Sequence, residues 1–376
     1  MTTGWRLAGP LVGLAMALCA HGALAQKTGD SPLGDTTSAD GAPLTASQKL
    51  SRYFGPPGLL AEMSQDENYG NINTRIAQMR AQIEGAKSTG VYSGYTDEGY
   101  KLSVPINLLL NLPDNKSLIR FKGTGIWSWA EPERTYSRTR GFSGLAEYVY
   151  IPDETTVLGF GVTASNTGIS ILNSHGSART YDLGFQANLI YRFNERWGVA
   201  ATANYMWVNN RSEIPLGRLS LVTDQNSRRT FAEATVVGNY ENQHASWVPE
   251  GWTLYPKLNV NYHRQDFETV YNSLGRKNDG TVGPLDDYLT AAAVVRLQKN
   301  GFRPLEMAPY VEVGYERELI NDLNVVVDDR NILRSKVGFQ MTLPNTARFD
   351  LSLSRNDGFK GDRSLTKVTL IYNQAF

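Results

Sequence analysis

From about residue 100 to the end of the chain, apolar and polar residues alternate with a period of two. That spacing belongs to a strand with one face in an apolar medium and the other in a polar one. Leu102, Val104, Ile106, Leu108, Leu110 and Leu112 make the first stripe, and Ile119, Phe121, Trp127 and Trp129 the second. The cleanest stripe is Tyr181, Leu183, Phe185, Ala187, Leu189, Tyr191 and Phe193, with Asp182, Gly184, Gln186, Asn188 and Arg192 on the opposite face. Similar stripes recur through Leu289–Leu297, Val311–Tyr315 and Val337–Leu343 to the last segment, Val368 to Phe376. Before residue 100 the period is different. Ile76, Met79, Ile83 and Ala86 recur at helical spacing, which predicts a short helix over 71–87.

A soluble β-sandwich also alternates, so three further features decide between it and a barrel that crosses a bilayer. The predicted strands are about 9–13 residues long, enough to cross a membrane with tilt. Trp127, Trp129 and Trp207 close upward strands, whereas Trp197, Trp247 and Trp252 flank turns, the layout of two interfacial aromatic girdles. Connections alternate between short ones, such as Asn194-Glu195-Arg196 and Pro249-Glu250-Gly251, and long ones, such as Asn209–Arg229 and Phe267–Leu285. Short turns belong on the periplasmic side and long loops outside. The expected fold is all-β: a transmembrane antiparallel up-and-down β-barrel of about 12–14 strands, preceded by a short helical segment.

Targeting agrees with this. Arg6, the apolar run Leu11–Ala20 and the small-x-small site Ala23-Leu24-Ala25 read as a secretory signal peptide over 1–25. Residues 26–86 read as a flexible linker, rich in Gly, Ser, Thr, Asp and Pro up to about residue 50, followed by the short helix; 87–376 read as the barrel. Mean hydropathy is −0.35 and no apolar run is long enough for a membrane helix. Net charge is zero, so no basic patch calls for a nucleic acid. The one cysteine, Cys19, falls in the leader, which leaves no thiolate metal site, and no cofactor motif is present.

The inward parity carries the remaining chemistry. Arg120, Lys122, Arg192, Lys257, Arg296, Lys336, Arg348 and Lys367 are basic; Glu147, Asp182, Glu233, Glu312, Glu316 and Asp350 are acidic. A ring of one sign selects ions by charge. This mixed set instead predicts a salt-bridged lumen, closed or weakly selective. Two His-x-Ser triplets, His175-Gly176-Ser177 and His244-Ala245-Ser246, are the only trace of a hydrolase, and neither has an orienting third residue beside it. No enzymatic activity is expected.

The segment ending in Val368, Leu370, Tyr372 and Phe376 resembles the C-terminal β-signal of Gram-negative outer-membrane proteins, although Gln374 departs from the usual apolar residue. The resemblance implies an outer-membrane location, recognition by the barrel-assembly machinery, and contact with membrane lipid and lipopolysaccharide. A helix directly before a barrel of this size is also similar to the translocator unit of autotransporters. That family implies a helix over Asn71–Lys87 in the pore and everything upstream as passenger. Here the passenger would be only about 45 residues, a vestige beside the usual effector. Both chain ends of a single-chain barrel lie in the periplasm and its strand count is even. Counting back from Phe376 therefore calls for one strand before Lys101, and Ser88–Thr96 is the candidate that makes fourteen. The functional expectation is a passive pore for small solutes. The alternatives are an autotransporter-type translocator and an outer-membrane lipid hydrolase.

Overall fold

Phe142, Phe160, Leu183, Leu258 and Val337 are all more than half exposed, whereas Arg120, Glu147, Asp182, Arg296 and Lys336 are all buried. This inverts the usual order of a water-soluble protein, and it is the order a bilayer imposes on a barrel, apolar outward and polar inward. The computed structural model describes residues 43–54, 59, 99–130, 137–171, 175–275, 277–279, 283–300, 305–322, 329–343, 347–361 and 363–376. The signal peptide over 1–25, most of the linker, the helix over 71–87 and the strand Ser88–Thr96 lie outside the described residues.

The strands are β1 (Gly99–Asn111), β2 (Ser117–Ala130), β3 (Ser137–Tyr150), β4 (Thr156–Ile171), β5 (Gly176–Arg192), β6 (Trp197–Leu216), β7 (Leu219–Gly238), β8 (Trp252–Phe267), β9 (Val270–Tyr271), β10 (Lys277–Asn278), β11 (Leu285–Lys299), β12 (Met307–Asn321), β13 (Asn331–Thr342), β14 (Arg348–Gly358) and β15 (Ser364–Ala375). β9 and β10 form a small separate sheet outside the wall; the other thirteen close a barrel in sequence order. Neighbours are antiparallel except at the seam, where β1 runs parallel to β15 from Gly99↔Leu365 to Leu109↔Ala375. The seam is sealed at its lower end: Phe376 donates its N–H to the Leu109 carbonyl (2.8 Å), and Asn111 Nδ2 donates to the Phe376 carbonyl (2.6 Å).

This corrects two expectations. Thirteen strands fall within the expected 12–14, but the count is odd rather than even, because β1 and β15 pair directly. The sheet is accordingly mixed rather than purely antiparallel. An odd count also puts the start of β1 at the end opposite Phe376, the external end, beside Ala130 at the top of β2. The second correction concerns Asn209–Arg229, read above as a long external connection. It is a hairpin in which β6 and β7 stay paired out to Leu216↔Leu219. Gly217, at φ +62°, supplies the left-handed residue its tight turn needs. Polar Asn209 and Arg211 break the lipid-facing stripe because the ladder there has left the hydrocarbon layer, not because the strand ends.

Within the membrane the parity is as read from the sequence. Ala187 is exposed on the outer face of β5 between Phe160 and Ala203, and Asn188 is buried inside. Ala187→Arg is expected to cost about 2–4 kcal/mol, the range for a cation on the lipid face near the midplane, while Ala187→Leu stays close to wild type. Urea titration of the barrel in phospholipid vesicles measures the difference; an Arg variant as stable as the Leu variant rejects the assignment of this face.

Candidate functional site: an occupied lumen

Sequence reading placed residues 26 to about 50 in a linker, yet helix α1 (Ala46–Lys49) forms there and continues as a π-helical turn, Leu50–Phe54. Local chemistry starts it. Thr45 is the N-cap and Gln48 the reciprocal partner: the Gln48 N–H donates to Thr45 Oγ1 (3.4 Å) and the Thr45 N–H to Gln48 Oε1 (2.9 Å). This capping box ties two of the N–H groups that a helix start leaves unpaired. Nine residues do not make a stable helix in water, so packing must hold it.

That packing is inside the barrel. Ala46, Leu50, Tyr53, Phe54 and Leu59 are buried against Leu118, Val149, Ile151, Val157, Ile190, Ala200 and Val237, with Leu109 and Tyr255 at the margin. The wall residues are the lowest inward apolar positions of successive strands from β1 through β8. Together they form a collar at the periplasmic mouth, next to the short turns. The mouth itself holds the helix by polar contacts. Asn111 Oδ1 accepts from the Ser47 N–H (2.8 Å), Lys49 Nζ donates to the Asn115 carbonyl (2.8 Å), Arg192 Nη1 donates to the Tyr53 carbonyl (3.1 Å) and Arg348 Nη2 to Ser51 Oγ (2.7 Å). Asn111 therefore ties both the seam and the plug. Leu59 occupies the space that glycine leaves at Gly198: a Cβ there would sit 2.5 Å from Leu59 Cδ1.

Of the inward charges named from the sequence, Arg192 and Arg348 thus serve the plug. Most of the others form a braced interior above the collar. Arg120 pairs with Glu147 (2.7 Å), whose carboxylate also accepts from Asn188 and lies over Gly159, where any Cβ would strike it. Asp182 takes Arg229 Nη1 (3.0 Å) and Ser165 Oγ (2.7 Å). Lys257 pairs with Glu312 (3.2 Å), Arg334 with Glu316 (3.0 Å), and Asn259 donates to Glu233 (2.6 Å). The Arg296 guanidinium lies 3.6 Å from the centre of the Tyr310 ring, and Tyr310 donates its hydroxyl to Asp350 (2.8 Å). Lys122, Lys336 and Lys367 are buried in the same interior. At the external end Glu318 takes Arg363 (2.8 Å) and Tyr288 (2.7 Å).

Arg229, Glu318 and Arg363 are not among the inward charges named from the sequence; Arg229 lies at the end of Asn209–Arg229, read there as a long connection. Leu109 and Val157, inward apolar residues on an otherwise polar parity, belong to the collar; Ile126 does not. The two His-x-Ser triplets fall at opposite ends of the barrel, His175 in the external β4–β5 turn and His244 in the periplasmic connection after β7. Val368 and Phe376 of the terminal segment are exposed, on the outer face and lower rim.

A closed outer-membrane barrel with its own N-terminal segment seated in the lumen defines a class, and sequence comparison identifies it. Residues 121–354 match the family model of the autotransporter beta-domain. The match covers more than half of the chain, and the chain belongs to that family of outer-membrane proteins. Its fold is similar to that of the beta domain of the Bordetella autotransporter Brka, at 11% identity and a TM-score of 0.50, covering 67% of this chain and 95% of that one. It is also similar to the translocator domain of autotransporter NalP from Neisseria meningitidis, at 13% identity and a TM-score of 0.50, covering 77% and 93% respectively. No curated protein matches the chain in sequence.

Proposed function

We propose that the protein is an autotransporter-type translocator whose lumen is occupied by its own N-terminal segment, rather than an open passive pore. The observation that carries this reading is α1 and Leu59 in the apolar collar. A passive pore needs a continuous wet path, and here buried aromatic and aliphatic side chains pack into the lower mouth against β1 through β8. The ends of the N-terminal segment support the same reading. Leu59 lies at the periplasmic mouth and Gly99 begins β1 at the external end.

Two measurements test this. In planar bilayers the full-length barrel should show little steady conductance, and deletion of residues 43–59 should raise it several-fold. A steady, large conductance from the full-length protein would restore the passive-pore reading. In intact cells a cysteine at Arg218, the tip of the β6–β7 hairpin, should react with an impermeant maleimide. One at Thr36 should react only after the outer membrane is permeabilised. Labelling of Thr36 in intact cells would mean that the upstream chain is exported as well.

A further inference from the structure

On the outer wall, above the aromatic band, one ladder row crosses five strands as Arg140, Gly168, Arg179, Arg211 and Asp224. Arg140, Arg179 and Arg211 are exposed and on the lipid-facing parity, above Phe142 on β3, Tyr181 on β5 and Trp207 on β6. Trp127 of β2 stands in the same row beside Arg140. Two features of the row are unfavourable for the protein alone. Arg179 and Arg211 face each other directly, and like charges directly opposite across strands destabilise a sheet. Between Arg140 and Arg179 the row holds glycine, where an added Cβ would meet nothing closer than the Arg140 carbonyl oxygen at 3.9 Å. Among the described residues none of the three arginines has an ion pair or hydrogen bond through its side chain. Asp224, which faces Arg211, instead accepts from Asn209 (3.1 Å).

We infer that this row is a binding site for the phosphorylated headgroup of an outer-leaflet glycolipid, the lipid A part of lipopolysaccharide. Neighbouring strands are about 4.8 Å apart, so Arg140 and Arg179, two strands apart, flank a gap of about 10 Å floored by Gly168. That is wide enough for a phosphate to sit between two guanidinium forks, each able to bind it through two N–H groups. A phosphate bridging Arg179 and Arg211 turns their repulsion into attraction. The position selects the source. The row is the first charged layer above the outward aromatics Phe142 and Tyr181, at the depth where a lipid's headgroup sits while its acyl chains lie along the apolar wall below. The site is independent of what occupies the lumen.

The test uses the full-length protein in phosphatidylcholine nanodiscs doped with lipid A, with retained lipid counted by native mass spectrometry. The triple variant R140S/R179S/R211S should retain about tenfold less lipid A than wild type, equivalent to about 1.4 kcal/mol. R317S/R355S, which removes exposed arginines from β12 and β14, should match wild type. Lipid A stripped of its phosphates should bind wild type and triple variant equally weakly. The single variant R179S adds a reading that a misfolded protein cannot imitate. In lipid-free detergent it should be at least as stable as wild type, because it removes the Arg179–Arg211 repulsion, yet it should lose lipid A. Retention of lipid A by the triple variant overturns the proposal, and so does equal loss in R317S/R355S. It also fails if phosphatidylglycerol binds as well as lipid A, or if millimolar inorganic phosphate displaces the lipid.

Discussion

Phe54→Asp should open the periplasmic mouth of the barrel while leaving its wall folded. Phe54 is fully buried in the collar, with its ring edge-on to Tyr53 at 6.5 Å between centroids. Truncating a buried phenylalanine to alanine costs about 3–5 kcal/mol. A carboxylate in the same place adds the cost of an unpaired buried charge. A helix this short has no stability of its own to set against that loss, so the segment should leave the collar. The wall should stay closed, because its thirteen-strand ladder is hydrogen-bonded without it. The expected result is heat-modifiable migration like wild type, a several-fold rise in single-channel conductance, and new protease cleavage near residue 54 from the periplasmic side. Phe54→Leu, which keeps apolar volume, should do none of these. Wild-type conductance in the Asp variant would show that α1 is not what closes the mouth.

The second large effect is predicted for the wall. The side chains of Arg120 and Glu147 are 4% and 0% exposed and lie 2.7 Å apart. Removing one partner of a buried pair leaves a charge without compensation and typically costs 3–5 kcal/mol, whereas replacing both with apolar residues of similar volume is often close to neutral. Glu147→Leu should therefore lower the urea midpoint of the barrel strongly, and Arg120→Met together with Glu147→Leu should recover much of it. A double-mutant cycle in lipid vesicles checks both statements. If Glu147→Leu alone is neutral, the pair does not brace the lumen. Gly159 belongs to the same unit, since it leaves the space in which the Glu147 carboxylate lies.

Much of this architecture was legible in the chain. Period-two alternation places Ala187 outside and Asn188 inside with no other information, because successive side chains of a strand must point to opposite faces. The tryptophans at strand ends and the run of short turns give the membrane and the orientation for the same local reason. The mixed signs of Arg120, Glu147, Asp182, Lys257 and Glu312 point to an interior held by ion pairs before any distance is measured. What was misread was also local in cause. The extramembrane ends of β6 and β7 were taken for loop because polar residues there reflect water outside, and a strand in water keeps its hydrogen bonds while losing its apolar stripe.

Sequence by itself determined the membrane-spanning strands, their faces and the membrane they cross. Only the tertiary structure decided how the barrel closes and what fills it. The parallel seam from Gly99↔Leu365 to Leu109↔Ala375 joins the two ends of the wall, and nothing in either strand's own pattern distinguishes a parallel partner from an antiparallel one. The collar is assembled from Leu118, Val149, Val157, Ile190, Ala200 and Val237, single inward residues lying apart in the chain. Each looks like an isolated exception to a polar parity. They become a binding surface only when closure brings the ends of successive strands side by side, since strands pair about 4.8 Å apart whatever their separation in sequence.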